Sequence, residues 1–396
     1  MKIVFISSWY SENMGYAENM FPRTMAGLGH DVHLITSTAQ VYYNSPDYKK
    51  TYEKLLGPAI VEPVVKTIDG YTLHRLPLQI IEGKLGMEGL TARLTKIQPD
   101  IIQAFEIDEP ATEEAARFTR SQNAKLFTES HMHKSVFLKS KKKQLRSAVT
   151  RFMPANNRLK MINEQTIICY PIAEDVADLA VNFFKISRSK IKIQSLGIDS
   201  TMFRLPTAAE KDSRADVRSK LGFDDDDIVC IYTGRFAKDK DPHTLARSIN
   251  QLSETNPRFK GLFTGNGTQE DIDYISSMKN CLIQPFVRVN ELNKYYWASD
   301  IGVWPRQEST SQLDAAACGL PLVLSDEISV TERVNGNGYL YREGDSNDMV
   351  EKLLRLKEKE KRETLGKIGH NKVINKYSWI AIATERLADY SRSLNN

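Results

Sequence analysis

The chain has 396 residues, 41% of them hydrophobic, which is enough for sizeable cores in two domains. Its 54 basic and 50 acidic residues leave a net charge of +4, too mild to imply nucleic acid as a partner. No apolar run reaches the roughly 18 residues of a membrane span, and the opening run to Ser7 is too short for a signal peptide, so a cytoplasmic protein is expected. Cys169, Cys230, Cys281 and Cys318 are far apart and form no CxxC pair, so buried thiols are expected rather than disulfides or a zinc site.

Taken in order, Lys2–Ser7 reads as a strand, Glu18–Leu28 as a helix stopped by Gly29, and Asp31–Thr36 as a second strand. This βαβ unit implies a parallel sheet, with further strands expected at Asp100–Phe105, Lys125–Thr128 and Thr166–Tyr170. A doubly wound sheet binds ligands beyond the carboxyl ends of its strands. The loops Ser7–Tyr16, Glu106–Glu109 and Glu129–His133 are therefore the places to look. The first of them has one glycine, Gly15, where a dinucleotide fingerprint needs three, which weighs against a nicotinamide dehydrogenase.

Residues 131 to 163 carry nine lysines and arginines and no acid. Val136, Phe137, Leu145, Val149 and Phe152 can form an apolar stripe there, so residues 134–160 are read as a basic amphipathic surface for anionic lipid. The alternative is a core-packed helix whose lysines face water.

Residues 206 to 216 show no period and precede an acidic turn, Asp224–Asp227, so a linker is expected there. The domains are then 1–200 and 201–377, with 378–396 a helix returning to the first. Strands resume at Ile228–Thr233, Gly261–Thr264, Leu282–Gln284, Ile301–Trp304 and Leu322–Leu324.

The stretch from Trp304 to Val323 is the most informative. Ser309, Thr310 and Ser311 are natural N-caps, so a helix should start there, run through Ala317 and stop at Gly319. A helix N-terminus at a strand's carboxyl end is an anion site, and Asp314 one turn on suits a ribose diol. An ordinary capped helix is the plainer alternative. Arg235 and Lys240, after Gly234 at another strand end, could neutralise a leaving diphosphate as its charge grows, or could be a basic surface turn. Gly265-Asn266-Gly267 reads as a tight turn.

Taken together, Gly234-Arg235 with Lys240, Gly265-Asn266-Gly267, Glu291-Leu292, Asp314 to Val323, and Leu196 to Asp199 with Phe203 resemble the family-4 glycosyltransferases over nearly the whole chain. The resemblance implies a GT-B fold: α/β, with two facing Rossmann-like domains, parallel sheets and a cleft. It implies a retaining transfer from a nucleoside diphosphate sugar, UDP or GDP type, to a glycan, glycolipid or other anionic acceptor, with no metal or other cofactor. Arg235 and Lys240 would hold the diphosphate, Asp314 the ribose, and His131 would sit near the transferred sugar. Gly234, Ser309, Thr310, Ser311 and Val287 would complete the donor side; Gly15, Tyr16, Glu106 and His133 lie on the acceptor side. The sequence departs from the family where Arg306 occupies the place of the first of two paired glutamates; Glu308 either replaces it or is a solvated loop carboxylate. Val287 stands where relatives have glycine. An epimerase or phosphorylase of the same fold, or a silent assembly partner, remains an alternative.

Overall fold

The computed structural model describes residues 1–12, 14–133, 156–210 and 212–395. Most of the basic stripe, residues 134–155, lies outside the described residues. Two compact units are present: unit 1 is 1–196 with 382–396, and unit 2 is 197–381.

Unit 1 is built on a seven-stranded sheet: β1 (Lys2–Ser7), β2 (Asp31–Ser37), β3 (Val64–Ile68), β4 (Tyr71–Leu76), β5 (Ile101–Phe105), β6 (Lys125–Ser130) and β7 (Thr166–Pro171). Its order is β3-β4-β2-β1-β5-β6-β7, parallel except for the β3/β4 pair. Ile3, Val4, Phe5 and Ile6 of β1 are all buried, as a central strand covered on both faces requires. Each such side chain contributes on the order of 1.5–3 kcal/mol. Helix α1 (Ala17–Gly27) follows β1.

In unit 2, α2 (Asp212–Leu221) precedes six parallel strands: β8 (Ile228–Phe236), β9 (Phe259–Gly267), β10 (Cys281–Gln284), β11 (Ile301–Trp304), β12 (Leu322–Ser325) and β13 (Gly338–Tyr341). Their order is β10-β9-β8-β11-β12-β13. Helix α3 (Pro242–Thr255) follows β8, and α4 (Thr310–Ala317) joins β11 to β12.

The expected linker is absent as such. Residues 206–216 run into α2, because Arg218 is buried and donates to the carbonyls of Ala298, Asp224 and Asp227 while Arg214 and Arg218 both reach Asp300. Tertiary bonds hold a helix that has no apolar face of its own. The division falls instead at Leu196/Gly197.

The last helix, α5 (Trp379–Leu394), returns to unit 1 from Ile382 onward. Ile382, Arg386 and Tyr390, spaced four apart, form its buried face. All four cysteines are free thiols. No helix among the described residues is long and apolar enough to cross a membrane.

Candidate active site

In unit 2 the strand order reverses between β8 and β11, and the loops after these strands carry the candidate donor residues. Ser309 is the N-cap of α4, its Oγ accepting from Ser311 N at 3.3 Å, while Thr310 is exposed in the first turn. Ser311 N and Gln312 N are thus taken within the turn, the latter by the Ser309 carbonyl, and the start of α4 offers mainly the positive end of its dipole. Lys240 Nζ reaches the Glu308 carbonyl at 3.4 Å, setting a cation beside that helix start. Burial lowers its pKa, and the charge of Arg235 adds to the effect. Arg235 itself is 72% exposed and pairs with Asp239 at 3.2 Å.

Sequence reasoning missed Arg333. This buried arginine donates from Nη1 to the Ser309 carbonyl at 2.9 Å and to Gln312 Oε1 at 3.1 Å, so it fixes the N-terminus of α4 from behind. Asp314 has no hydrogen-bond partner for its carboxyl among the described residues. Burial and the charge of Asp199 push it up to about 8, against the pull of Arg333.

Gly265 does not make a tight turn; it lies within β9 at φ +154°, and a Cβ there would stand 1.9 Å from the Gly234 carbonyl oxygen. The two glycines let strand ends approach beside Arg235. Val287 lies in the loop after β10, partly buried next to Phe286, which is 78% exposed.

Neither residue of the altered loop is free. Arg306 Nε pairs with Glu343 Oε1 at 2.7 Å, and Glu308 Oε1 accepts from Ser329 N and Oγ at 2.7 and 2.8 Å. Burial would raise the pKa of Glu308, but the Ser329 hydrogen bonds outweigh it and hold it below the usual range. Glu308 thus ties two loops together. A hollow of about 890 Å³ at the carboxyl edge is lined by Arg235, Lys238, His243, Arg247 and Arg306. The larger one, about 1170 Å³, opens at the opposite strand edge beside Asp227, Pro257 and Asp300, away from these groups.

In unit 1 the reversal falls between β1 and β5. His131, just past β6, has Nε2 2.7 Å from Glu129 Oε1, and its backbone N donates to Glu106 Oε1 at 3.0 Å. Glu129 Oε2 in turn accepts from Arg386 Nη1 at 2.5 Å. Burial alone would lower the pKa of His131, but Glu129 overrides it and holds the imidazole up to about 9. Burial likewise works to raise Glu129, yet Arg386 and His131 hold it down at about 2. Burial raises Glu106 above the usual carboxylate range, and it takes Glu18 of α1 up to about 7.

His133 does not join this cluster; it is exposed and pairs with Asp175 at 3.1 Å. Tyr16 is the N-cap residue of α1 and bonds Tyr42 between hydroxyls at 3.1 Å. Gly15 is exposed, with open space where a Cβ would be. Glu18, Glu129 and Arg386 were not singled out from the sequence. Among the described residues no three His, Cys, Asp or Glu side chains converge as metal ligands. Positive φ angles at Glu106 (65°), Asp241 (48°) and Gln307 (58°) concentrate backbone strain, at about 1–3 kcal/mol each, in the loops of both candidate sites.

Two parallel-sheet α/β units, each gathering its candidate groups at strand carboxyl ends, make this a GT-B fold. The family described as Glycosyl transferases group 1 matches residues 227–359, within unit 2. Over 217 residues it is 26% identical to the sulfoquinovosyl transferase SQD2 of Arabidopsis thaliana, covering 52% of this chain and 41% of that protein. Over 243 residues it is 27% identical to a D-inositol 3-phosphate glycosyltransferase of Thermobifida fusca, covering 56% and 54%. The chain thus spans about half the length of these curated relatives. The putative teichuronic acid biosynthesis glycosyltransferase TuaC of Bacillus subtilis is 21% identical over 343 residues, 82% of this chain and 81% of TuaC. Among solved structures, a sucrose-phosphate synthase from Thermosynechococcus elongatus aligns with TM-score 0.64 at 18% identity, covering 100% of this chain and 99% of its own. Anabaena HepE in complex with UDP aligns with TM-score 0.63 at 15% identity, covering 99% and 100%.

Proposed function

We propose that this protein transfers a sugar, with retention of configuration, from a nucleoside diphosphate sugar to a glycan or glycolipid acceptor in cell-surface polysaccharide or glycolipid synthesis. The observation that carries the reading is in unit 2, where Lys240 meets the Glu308 carbonyl beside the Ser309-capped start of α4. A leaving diphosphate gains negative charge as the glycosidic bond breaks, and this lysine, the exposed Arg235 and the α4 N-terminus set positive charge where it grows. The Asp314 carboxyl, without a hydrogen-bond partner among the described residues, suits a ribose hydroxyl. The presence of UDP in the HepE structure supports a UDP-type donor, with GDP the alternative. TuaC, named for teichuronic acid biosynthesis, supports an acidic glycan acceptor.

The reading uses no metal, and it includes docking on anionic membrane through the basic stripe of residues 134–160. A silent assembly partner is the second reading, favoured by one observation: Arg306 stands at the place of the family's first glutamate and pairs with Glu343, while Ser329 engages Oε1 of Glu308. A thermal-shift panel of nucleoside diphosphates tests the donor, because a ligand at about 100 times its Kd adds about 2.7 kcal/mol. Turnover of the stabilising donor with acceptor extracts, against donor alone, then separates transfer from epimerisation and from silence.

A further inference from the structure

The loop that follows β2 gathers tyrosines beside Tyr16 that the groups described so far leave unused. Tyr42 stacks on Tyr52 with ring centroids 4.7 Å apart and planes 25° from parallel, and Tyr48 backs Tyr52 at 5.9 Å. The Tyr42 hydroxyl meets that of Tyr16, the N-cap residue of α1, at 3.1 Å. The group therefore sits at the carboxyl edge of β1 and β2, among the loops where such sheets bind ligands. Tyr48 is buried, but Tyr42 is 46% exposed, and since Tyr52 covers one face of its ring the exposure falls on the other face and the rim. Tyr42 also holds φ at 62°, a left-handed backbone that a bulky side chain seldom adopts. The surrounding turn enforces it: Ser45 N donates to the Tyr42 carbonyl at 2.8 Å, Tyr43 N to that of Gln40 at 3.1 Å, and Gln40 Nε2 to that of Leu56 at 2.7 Å. A chain that accepts backbone strain to hold a ring open to water, rather than to bury it, is presenting that ring.

We propose that Tyr42, stacked on Tyr52 and tied to Tyr16, is a platform for one neutral pyranose ring of the acceptor glycan. The face of an aromatic ring is electron-rich, and the C–H bonds on the apolar face of a pyranose carry partial positive charge, so the two stack and bury apolar area on both sides. The hydroxyl pair adds direction. One phenol donates to the other, which leaves the second O–H free for a hydroxyl of the sugar. Burial and then Tyr42 push the Tyr16 phenol above its ordinary value, so this proton stays in place. Charges in the segment nearly cancel, Asp47 and Glu53 against Lys49, Lys50 and Lys54, which suits a neutral ring better than an anionic headgroup, even where the glycan carries an acid elsewhere. The assignment rests on the glycosyl-transfer reading for the source of the sugar, and it concerns recognition of the acceptor rather than the reaction.

The test uses the full chain with its tyrosine rings labelled with carbon-13, the Tyr42 resonances being assigned through Tyr42→Leu. Probes are methyl glycosides of glucose, galactose, mannose and N-acetylglucosamine, cellobiose, the open-chain polyol sorbitol, uridine, UDP, and phosphatidylcholine vesicles with and without phosphatidylglycerol. At least one pyranoside should move the Tyr42 resonances, while sorbitol, uridine, UDP and the vesicles leave them in place. Tyr42→Leu should weaken binding of that pyranoside about threefold to tenfold, the range of an aromatic stacking contact, as read by saturation transfer to the sugar protons. Tyr42→Phe, which keeps the ring, should bind between the two. The proposal is overturned if no pyranoside moves the Tyr42 resonances, if sorbitol, uridine or the vesicles move them as much, or if Tyr42→Leu binds as the parent does. Binding of a nucleoside diphosphate without any pyranoside shift would overturn the platform and leave the donor reading standing; a Tyr42-dependent sugar shift without nucleoside diphosphate binding would do the reverse.

Discussion

Arg386 Nη1 lies 2.5 Å from Glu129 Oε2, with both side chains sealed from solvent, and the guanidinium is stacked 3.9 Å over the Phe21 ring. Breaking a buried pair leaves one charge without compensation. Arg386→Ala should therefore cost about 3–5 kcal/mol in denaturant unfolding, and the Glu129→Gln/Arg386→Met double variant clearly less than the sum of its single variants. Glu129 is depressed in the folded state, so its contribution is present above the unfolded carboxylate pKa and is lost as pH falls toward about 2. An additive double variant would show that the two residues do not act as a pair.

Arg235→Ala and Lys240→Ala should each slow transfer about 30- to 1000-fold, the loss of roughly 2–4 kcal/mol of transition-state stabilisation. Arg235 is largely exposed, so its replacement should leave the melting temperature in place. Steady-state turnover with the donor found by the thermal-shift panel decides the matter. Unchanged rates in both variants would remove these residues from the diphosphate site.

Asp314→Asn should weaken nucleoside diphosphate binding about tenfold, close to the worth of one hydrogen bond. The same variant carries a pH signature. The folded-state pKa of about 8 lies above the usual carboxyl value, so the native state binds the extra proton in between. Stability should decline as pH rises from about 4 through 8 in the parent, and less steeply in Asp314→Asn. Parallel pH profiles of melting temperature for the two proteins would contradict the buried-carboxyl account.

Chelation should leave transfer unchanged, because Lys240, Arg235, Arg333 and the start of α4 already set positive charge around the proposed diphosphate. The check is turnover after EDTA treatment and again after added magnesium. A loss of tenfold or more that magnesium restores would require a metal in the mechanism.

Liposomes containing anionic lipid should pellet the protein at low salt and release it at high salt, since each lysine or arginine near such a surface is worth about 1 kcal/mol and is screened by salt. Changing Lys141, Lys142 and Lys143 to Glu should abolish the effect. Equal, negligible pelleting throughout would favour a soluble acceptor.

What could be read from the residues alone divides along physical lines. Strands with continuous apolar runs, such as Ile228–Thr233 and Ile301–Trp304, were legible because burial on both faces leaves no polar alternation. The Ser309 cap was legible because capping is local chemistry. Strand β3 was not, being an edge strand with Val64 and Val65 exposed. Extension of β8 and β9 through Gly234 and Gly265 depends on the pairing of the two strands, which neither shows by itself. Arg218, Arg333 and Arg386 read as surface charges because a buried arginine is betrayed only by its partners. For Arg386 one signal existed: it sits midway between Ile382 and Tyr390, on the face that the helical period assigns to the core.

The return of residues 382–396 to unit 1 sets an order of assembly on the ribosome. Unit 2 is complete in sequence before Arg386 has been made, so unit 1 must wait with Glu129 compensated by His131 alone until α5 emerges. A fragment of residues 1–196 should accordingly be a poor folder, and α5 supplied as a separate peptide should rescue it.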